Sequence, residues 1–145
     1  MDELQKVKKF AKELDAISPS MCFAKWKQVT LHLQTGHTHS CHHPKTHKIP
    51  LEELKDNPSA LHNTNFKKQQ RKLMLNGKRP AECDYCWKVE DALDQKRDVL
   101  SDRYTKSYEP WAQDFQQDII SEKNWDQNIN PSYLEVSFSN VCNFK

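Results

Sequence analysis

The sequence predicts an α+β protein in which a small cysteine-bearing β-hairpin is joined to several helices and followed by a final strand. Three observations lead to this fold class. Apolar residues recur at helical spacing in residues 2–17 and in several later segments. They alternate in residues 29–33 and again in 133–138, as in strands that bury one face. Gly36 separates the first alternating run from a second short one over 37–41, as expected of a hairpin turn.

The helices follow from periodicity and from their start and stop signals. The first is predicted from Asp2 to Ile17, where Ser18-Pro19-Ser20 ends it. Further helices are predicted over 49–54, from a cap at Thr64 or Asn65 to Asn76-Gly77, from 87 or 88 to about 104, and over 108–119.

One face of the helix that begins near Thr64 is basic. It carries Lys67, Lys68, Arg71 and Lys72. A charged helix face is most simply explained by contact with water, and phosphate binding is the functional alternative. The sequence therefore predicts a solvated basic face here.

Composition narrows the class of protein. The chain has 145 residues, enough for one domain or for part of a larger protein, and only 36% of them are hydrophobic. Such a lean core would benefit from a metal ion or cluster that crosslinks the chain. The net charge of +2 does not by itself indicate nucleic-acid binding. No apolar run has the length of a membrane span or the form of a leader peptide, so we expect a soluble, cytoplasmic protein.

The cysteines are the main chemical signal. Five are present, an odd number that favours metal binding over disulfides in a reducing compartment. Cys83 and Cys86 form a C-x2-C pair, which we expect to hold both sulfurs on one side of a tight turn. The predicted hairpin brings Cys41 back towards Cys22. Four thiolates can complete either an iron–sulfur cluster or a zinc site.

Two other interpretations remain open from the residues alone. The first is structural zinc, bound by Cys41, Cys83, Cys86 and one histidine, for which the candidates are His39, His42 and His43. The second is a nucleic-acid module that uses Lys67, Lys68, Arg71, Lys72, Lys78 and Arg79. Five acidic residues between 90 and 102 argue against this second interpretation.

The cysteine spacing also resembles a known family. Cys22, Gly36 and Cys41 form Cys-x13-Gly-x4-Cys, and a separate Cys-x2-Cys follows. This pattern is similar to the auxiliary-cluster motif of radical SAM enzymes with a SPASM or Twitch domain. The segment 22–26 resembles the family's Cys-x-x-Pro-Trp, with Lys25 where proline is usual. The segment 77–86 resembles its Gly-x-x-Pro-x-x-Cys-x-x-Cys.

The last residues resemble a second part of the same family. Residues 134–145 look like the first strand of a radical SAM barrel and the start of its Cys-x3-Cys-x2-Cys loop, with Cys142 as the first cysteine. The resemblance covers residues 18–145. In many members of the family the auxiliary motif follows the barrel, whereas here it precedes it.

The resemblance implies an organisation and a function. It divides the chain into an N-terminal helix (1–20), a Twitch- or SPASM-like auxiliary domain (21–127) and the start of a truncated radical SAM core (128–145). Cys22, Cys41, Cys83 and Cys86 would bind an auxiliary [4Fe-4S] cluster. Cys142 would be the first ligand of a second [4Fe-4S] cluster, at which S-adenosyl-L-methionine is cleaved in a longer form.

The catalytic partner would be the radical SAM barrel, supplied in cis or by a split gene, and the chain is therefore expected to be a fragment. Without the complete cysteine triad, this chain alone is not expected to be active. The reaction class would be modification of a peptide, a protein or a small molecule.

Overall fold

The computed structural model describes residues 1–92 and 100–139. In these ranges the helices are α1 (Glu3–Ile17), α2 (Ala24–Lys27), α3 (Leu51–Asp56), α4 (Asn65–Leu75), α5 (Asp84–Ala92), α6 (Asp102–Tyr108), α7 (Pro110–Gln113) and α8 (Gln116–Glu122). Short 3₁₀ turns cover Pro58–Leu61 and Ala81–Cys83. The strands are β1 (Gln28–His32), β2 (His37–His39), β3 (His47–Lys48) and β4 (Tyr133–Ser137). The predicted α+β class is confirmed.

Local signals set the ends of the two long helices, as predicted. The side chain of Asp2 accepts a hydrogen bond from the Gln5 N–H, and Gln5 reciprocates, which makes a capping box at the start of α1. The side chain of Thr64 caps α4 in the same way, by accepting from the Lys67 N–H. Gly77 follows α4 with φ of 73°, a conformation in which glycine carries no steric penalty.

The strands of the described residues form one mixed sheet in the order β3-β2-β1-β4. The predicted hairpin is present: β1 and β2 are antiparallel, and Gly36 in the turn has φ of 71°. β4 pairs with β1 in parallel, from Gln28 opposite Tyr133 to His32 opposite Ser137. The final strand therefore joins the sheet of the hairpin, at its edge.

The main core lies where α1, α2, α4 and the helices after residue 101 meet. Its buried members include Phe10, Leu14, Phe23, Trp26 and Ile119. A smaller cluster of Val29, Leu31 and Ile49 packs on one face of the sheet. The apolar face predicted for the last strand is only partly covered, because Leu134 is 57% exposed and Phe138 is 75% exposed.

Two helix predictions need correction. The segment after Trp87 does not form one continuous helix to about residue 104, because residues 100 and 101 are not helical. The segment predicted as one helix over 108–119 contains the end of α6, all of α7 and the start of α8, which are separated at Glu109 and at Asp114-Phe115. Proline accounts for the first of these breaks, since it fits at the start of a helix and not in its interior.

The predicted solvated basic face of α4 is also wrong for two of its four residues. Lys67 and Arg71 are 1% and 0% exposed. Arg71 donates to the Lys25 carbonyl at 3.1 Å and to Asn63 Oδ1 at 2.9 Å. Lys67 Nζ lies 3.0 Å from His62 Nδ1. Helical periodicity places Lys67 and Arg71 opposite the apolar stripe of α4. That side of the helix is also buried, and neighbouring backbone and imidazole groups form hydrogen bonds with both side chains.

Candidate metal centre

Four cysteines from three segments of the chain line one cavity. Cys22, Cys41, Cys83 and Cys86 all contribute to its wall, and its volume is about 30 Å³. All four are free thiols. These are the four residues expected from the sequence to act together, and they lie together in the structure.

The hairpin brings the first two thiols together, as predicted. Cys22 lies just before α2, and Cys41 lies two residues after the end of β2. Because β1 and β2 are antiparallel, the chain leaving β2 returns past the start of β1. The hydroxyl of Ser40 accordingly reaches the Lys25 carbonyl, at 3.5 Å.

The second pair is placed by a helix and not by the tight turn expected. Cys83 ends a 3₁₀ turn, and Cys86 lies in the first turn of α5. Residues three apart share one face of a helix, so both thiols point to the same side. Pro80 fixes the entry of this segment, because its carbonyl accepts from the Cys83 N–H at 3.1 Å and from Trp87 Nε1 at 2.8 Å.

Burial keeps three of the thiols protonated in the absence of metal. It raises the pKa of Cys83 to about 11 and the pKa of Cys86 to about 12. Burial, and then the neighbouring Cys41, raises the pKa of Cys22 as well. Such thiols are poor nucleophiles, and a bound cation would have to displace their protons. The cavity without a bound metal is therefore poorly suited to thiolate catalysis.

A buried ammonium group accompanies the thiols. Lys25 lines the same cavity, its side chain is 2% exposed, and it forms an ion pair with Glu82. Burial lowers the pKa of Lys25, but Cys83 and Cys22 in their thiolate forms, together with the ion-paired and hydrogen-bonded Glu82, more than offset this and raise the pKa above its ordinary value. Lys25 therefore stays positive, and it favours the thiolate form of Cys83. It stands where the resembled family usually has proline.

Two further residues support the wall of the cavity. Arg103 lines it, and a backbone hydrogen bond from Arg103 favours the thiolate form of Cys86. His43 lies flat on Tyr85, with ring centroids 3.6 Å apart, and its Nε2 is 2.5 Å from Asp102 Oδ2. Since Tyr85 lies between Cys83 and Cys86, this stack fastens the loop after Cys41 to the C-x2-C segment.

Sequence reasoning did not identify Lys25 and Arg103 as parts of the site, and it named His43 only as one of three candidate zinc ligands. A usable signal existed for Lys25, which interrupts the otherwise apolar run Met21–Trp26. Nothing local distinguishes Arg103 from its neighbours, or His43 from His39 and His42. Arg103 and His43 belong to the site because α6 and the loop after β2 pack against it.

Four thiols are the donors that soft metals prefer. Their sulfurs surround a common space in the structure, but they are not arranged as the ligands of one metal ion. In residues 1–92 and 100–139, no three His, Cys, Asp or Glu side chains are placed to hold one ion. A single tetrahedral zinc would require thiolates roughly 3.8 Å apart, given zinc–sulfur bonds of about 2.3 Å. Cys142, the remaining predicted ligand, lies outside the described residues.

The histidines proposed for a Cys3His zinc site are divided between two places. His43 lines the thiol cavity. His39 instead faces His32, with their Nε2 atoms 3.0 Å apart, and His42 lies 3.6 Å from Glu135. The nucleic-acid interpretation loses Lys67 and Arg71, which are buried, and the exposed Arg79 is paired with Asp91.

Comparison with known proteins adds no relative. No protein-family model, curated protein or solved structure matches this chain. In the described part of the chain, none of the helices is both long enough and apolar enough to cross a membrane.

Proposed function

We propose that this chain binds an auxiliary [4Fe-4S] cluster through Cys22, Cys41, Cys83 and Cys86, as the accessory portion of a radical SAM enzyme. The observation that carries the proposal is the convergence of these four thiols, from three segments, on one cavity. Thiolates are the ordinary ligands of iron–sulfur clusters, and four complete such a cluster. The spacing around Gly36 and the C-x2-C pair supply the family resemblance.

The charge of the surroundings supports a thiolate centre. Four thiolates carry more negative charge than an iron–sulfur core or a zinc ion neutralises, and a buried site must compensate the rest. Lys25 is held in the cavity as a cation beside Cys83 and Cys22. In the bound state this ammonium would offset part of the excess charge, and the Arg103 N–H would direct a hydrogen bond to the Cys86 sulfur.

The second half of the proposal concerns the catalytic partner. A radical SAM barrel, in cis or from a split gene, would supply the second [4Fe-4S] cluster and bind S-adenosyl-L-methionine, with Cys142 as one ligand. The support is the position of β4, which is parallel to β1 and forms the edge of the sheet. An edge strand with unused backbone groups and partly exposed apolar side chains can accept a further strand. The substrate class would be a peptide, a protein or a small molecule.

A zinc site is the second candidate, and cavity size is the observation that favours it. A space of about 30 Å³ admits a single ion with little displacement of its walls. His43, which also lines the cavity, could replace one thiol in a Cys3His set.

Anaerobic reconstitution with iron and sulfide separates these candidates. The proposal expects about four irons and four sulfides per chain, together with broad visible absorption. Cys83→Ser should lose this cluster, whereas Cys142→Ser is the matched control and should keep it. A colourless protein that retains one zinc per chain after purification, and takes up no iron, would overturn the cluster assignment.

The catalytic half has its own test. In a longer product that completes the Cys-x3-Cys-x2-Cys loop, chemical reduction should cleave S-adenosyl-L-methionine, and Cys142→Ser should abolish cleavage. If the longer product does not cleave it when both clusters are loaded, the radical SAM assignment is wrong.

A further inference from the structure

One face of the sheet carries a row of polar side chains that the proposed function does not use. The register places Thr30 opposite His39 on one side and opposite Glu135 on the other. Residues directly opposite each other share a face, and so do residues two apart along a strand. His32 therefore lies on this same face, beside the row of His39, Thr30 and Glu135. The thiol cavity is lined by neither His32 nor His39.

The two histidines are already at the separation of two metal ligands. Their Nε2 atoms are 3.0 Å apart, and the rings are stacked at 20° with centroids 5.2 Å apart. Two imidazole nitrogens bound to one ion at about 2.05 Å lie roughly 2.9–3.3 Å apart for bond angles between a right angle and a tetrahedral one. The pair thus needs little movement to take an ion between its nitrogens.

His39 is held in the tautomer that a metal ligand requires. Its Nδ1 is hydrogen-bonded to the Cys41 carbonyl, and since a carbonyl only accepts, Nδ1 carries the proton. The lone pair of neutral His39 is then on Nε2, directed at His32. A backbone carbonyl on the far nitrogen is the usual outer support of a metal-bound histidine.

Two further donors lie at the rim. His42 Nε2 is 3.6 Å from Glu135 Oε1. Glu135 also accepts a hydrogen bond from the Tyr133 hydroxyl at 2.9 Å. Between His39 and Glu135, the hydroxyl of Thr30 is buried without a hydrogen-bond partner. A buried unsatisfied hydroxyl indicates that this row lacks a polar neighbour.

We propose that His32 and His39 form a binding site for a divalent transition-metal ion, completed by His42 and Glu135 as they turn inwards. Imidazole and carboxylate ligands suit zinc, cobalt and nickel. For His32 to ligate, its Nε2 proton moves to Nδ1, so that both Nε2 lone pairs face the ion. The ligands come from β1, β2, the loop after β2, and β4. An ion here would therefore fasten β4 to the hairpin and would act as a structural crosslink.

Cobalt titration tests this site independently of the proposed function. Co²⁺ bound by thiolates shows intense sulfur charge-transfer absorption in the near ultraviolet, whereas Co²⁺ bound by imidazole and carboxylate does not. Protein that already holds its cysteine-site metal should bind one further Co²⁺ without that absorption. Loss of the cysteine-site metal in a Cys83→Ser variant should leave this binding intact, which separates failure of one site from failure of the other.

Two variants and one control complete the test. His32→Gln and His39→Gln should each weaken Co²⁺ binding by about tenfold or more. His37→Gln lies on the same hairpin, but His37 Nδ1 is 2.8 Å from Thr46 Oγ1, and this variant should bind as the original does. His32 is the less buried of the pair, so His32→Gln keeps the test valid if His39→Gln fails to fold. Unchanged Co²⁺ affinity in folded His32→Gln would overturn the proposal, as would Co²⁺ bound solely through thiolates.

Discussion

Arg103 allows a sharp test of how buried charge stabilises this fold. Its side chain is 3% exposed and joins three segments. Nη2 donates to Glu90 at 2.7 Å and to Asp15 at 2.9 Å, while Nη1 donates to the Met21 carbonyl at 2.9 Å. Arg103→Met keeps the apolar stem and removes every one of these bonds.

The expected loss of folding stability follows from the acceptors that Arg103→Met leaves without a donor. Glu90 is 14% exposed, so its carboxylate would stay largely buried without a countercharge, at a cost of about 2–3 kcal/mol. The Met21 carbonyl adds about 1 kcal/mol. Asp15 is 40% exposed and can be hydrated, so it adds little. We therefore expect the free energy of unfolding to fall by about 3–4 kcal/mol, equivalent to roughly 10 °C or more in Tm.

Urea denaturation followed by circular dichroism, under anaerobic reducing conditions, measures this loss. Arg79→Met is the matched control. Arg79 also donates two hydrogen bonds to one carboxylate, that of Asp91, at 2.8 and 2.9 Å. Arg79 and Arg103 both lie over the Trp87 ring, at 5.0 and 5.7 Å, but the Arg79 side chain is 46% exposed. Arg79→Met should lower the free energy of unfolding by less than about 1 kcal/mol. Equal losses in the two variants would refute the argument that burial of Glu90 sets the magnitude.

Three further predictions concern other parts of the fold. Lys25→Met should lower the free energy of unfolding in urea by about 3 kcal/mol, because Glu82 is 13% exposed and its carboxylate would stay buried without a countercharge. Lys25→Met/Glu82→Gln should recover part of this loss. No recovery would show that the ion pair is not the cause. Burial lowers the pKa of His62 and lowers that of His47 to about 4, so both stay neutral in the folded chain while the unfolded chain takes up protons below about pH 6.5. The free energy of unfolding should therefore fall as the pH drops below 6.5, and the part due to His47 should fall until about pH 4. This dependence of stability on pH should weaken in His47→Gln but not in His37→Gln. Gly36→Ala should lower the free energy of unfolding by about 1 kcal/mol, and Gly36→Asn should lower it less. The loss should come from the φ of 71° alone, because no atom lies within 4 Å of the added methyl group. A loss above about 2 kcal/mol for Gly36→Ala would indicate a steric contact instead.

The sequence by itself determined the features that depend on neighbouring residues. The capping box at Asp2, the cap at Thr64 and the turn at Gly36 each depend on a few consecutive residues, so α1, α4 and the hairpin could be predicted. The grouping of Cys22 with Cys41 followed from that hairpin. The resemblance to radical SAM enzymes depends on the cysteines, the residues that flank them and their spacing, and it stays a prediction.

Only the tertiary structure decided which polar groups are buried and what they meet. Lys67 and Arg71 looked like a solvated face, because helical periodicity records which side of a helix is apolar but not whether a second element covers the other side. Lys25 and Arg103 joined the thiol cavity through packing between segments about 60–80 residues apart in sequence. The pairing of His32 with His39 required the strand register, and the ligand set around it required β4 beside β1. Such long-range contacts are fixed by the packing of the whole chain, and no local pattern in the sequence encodes them.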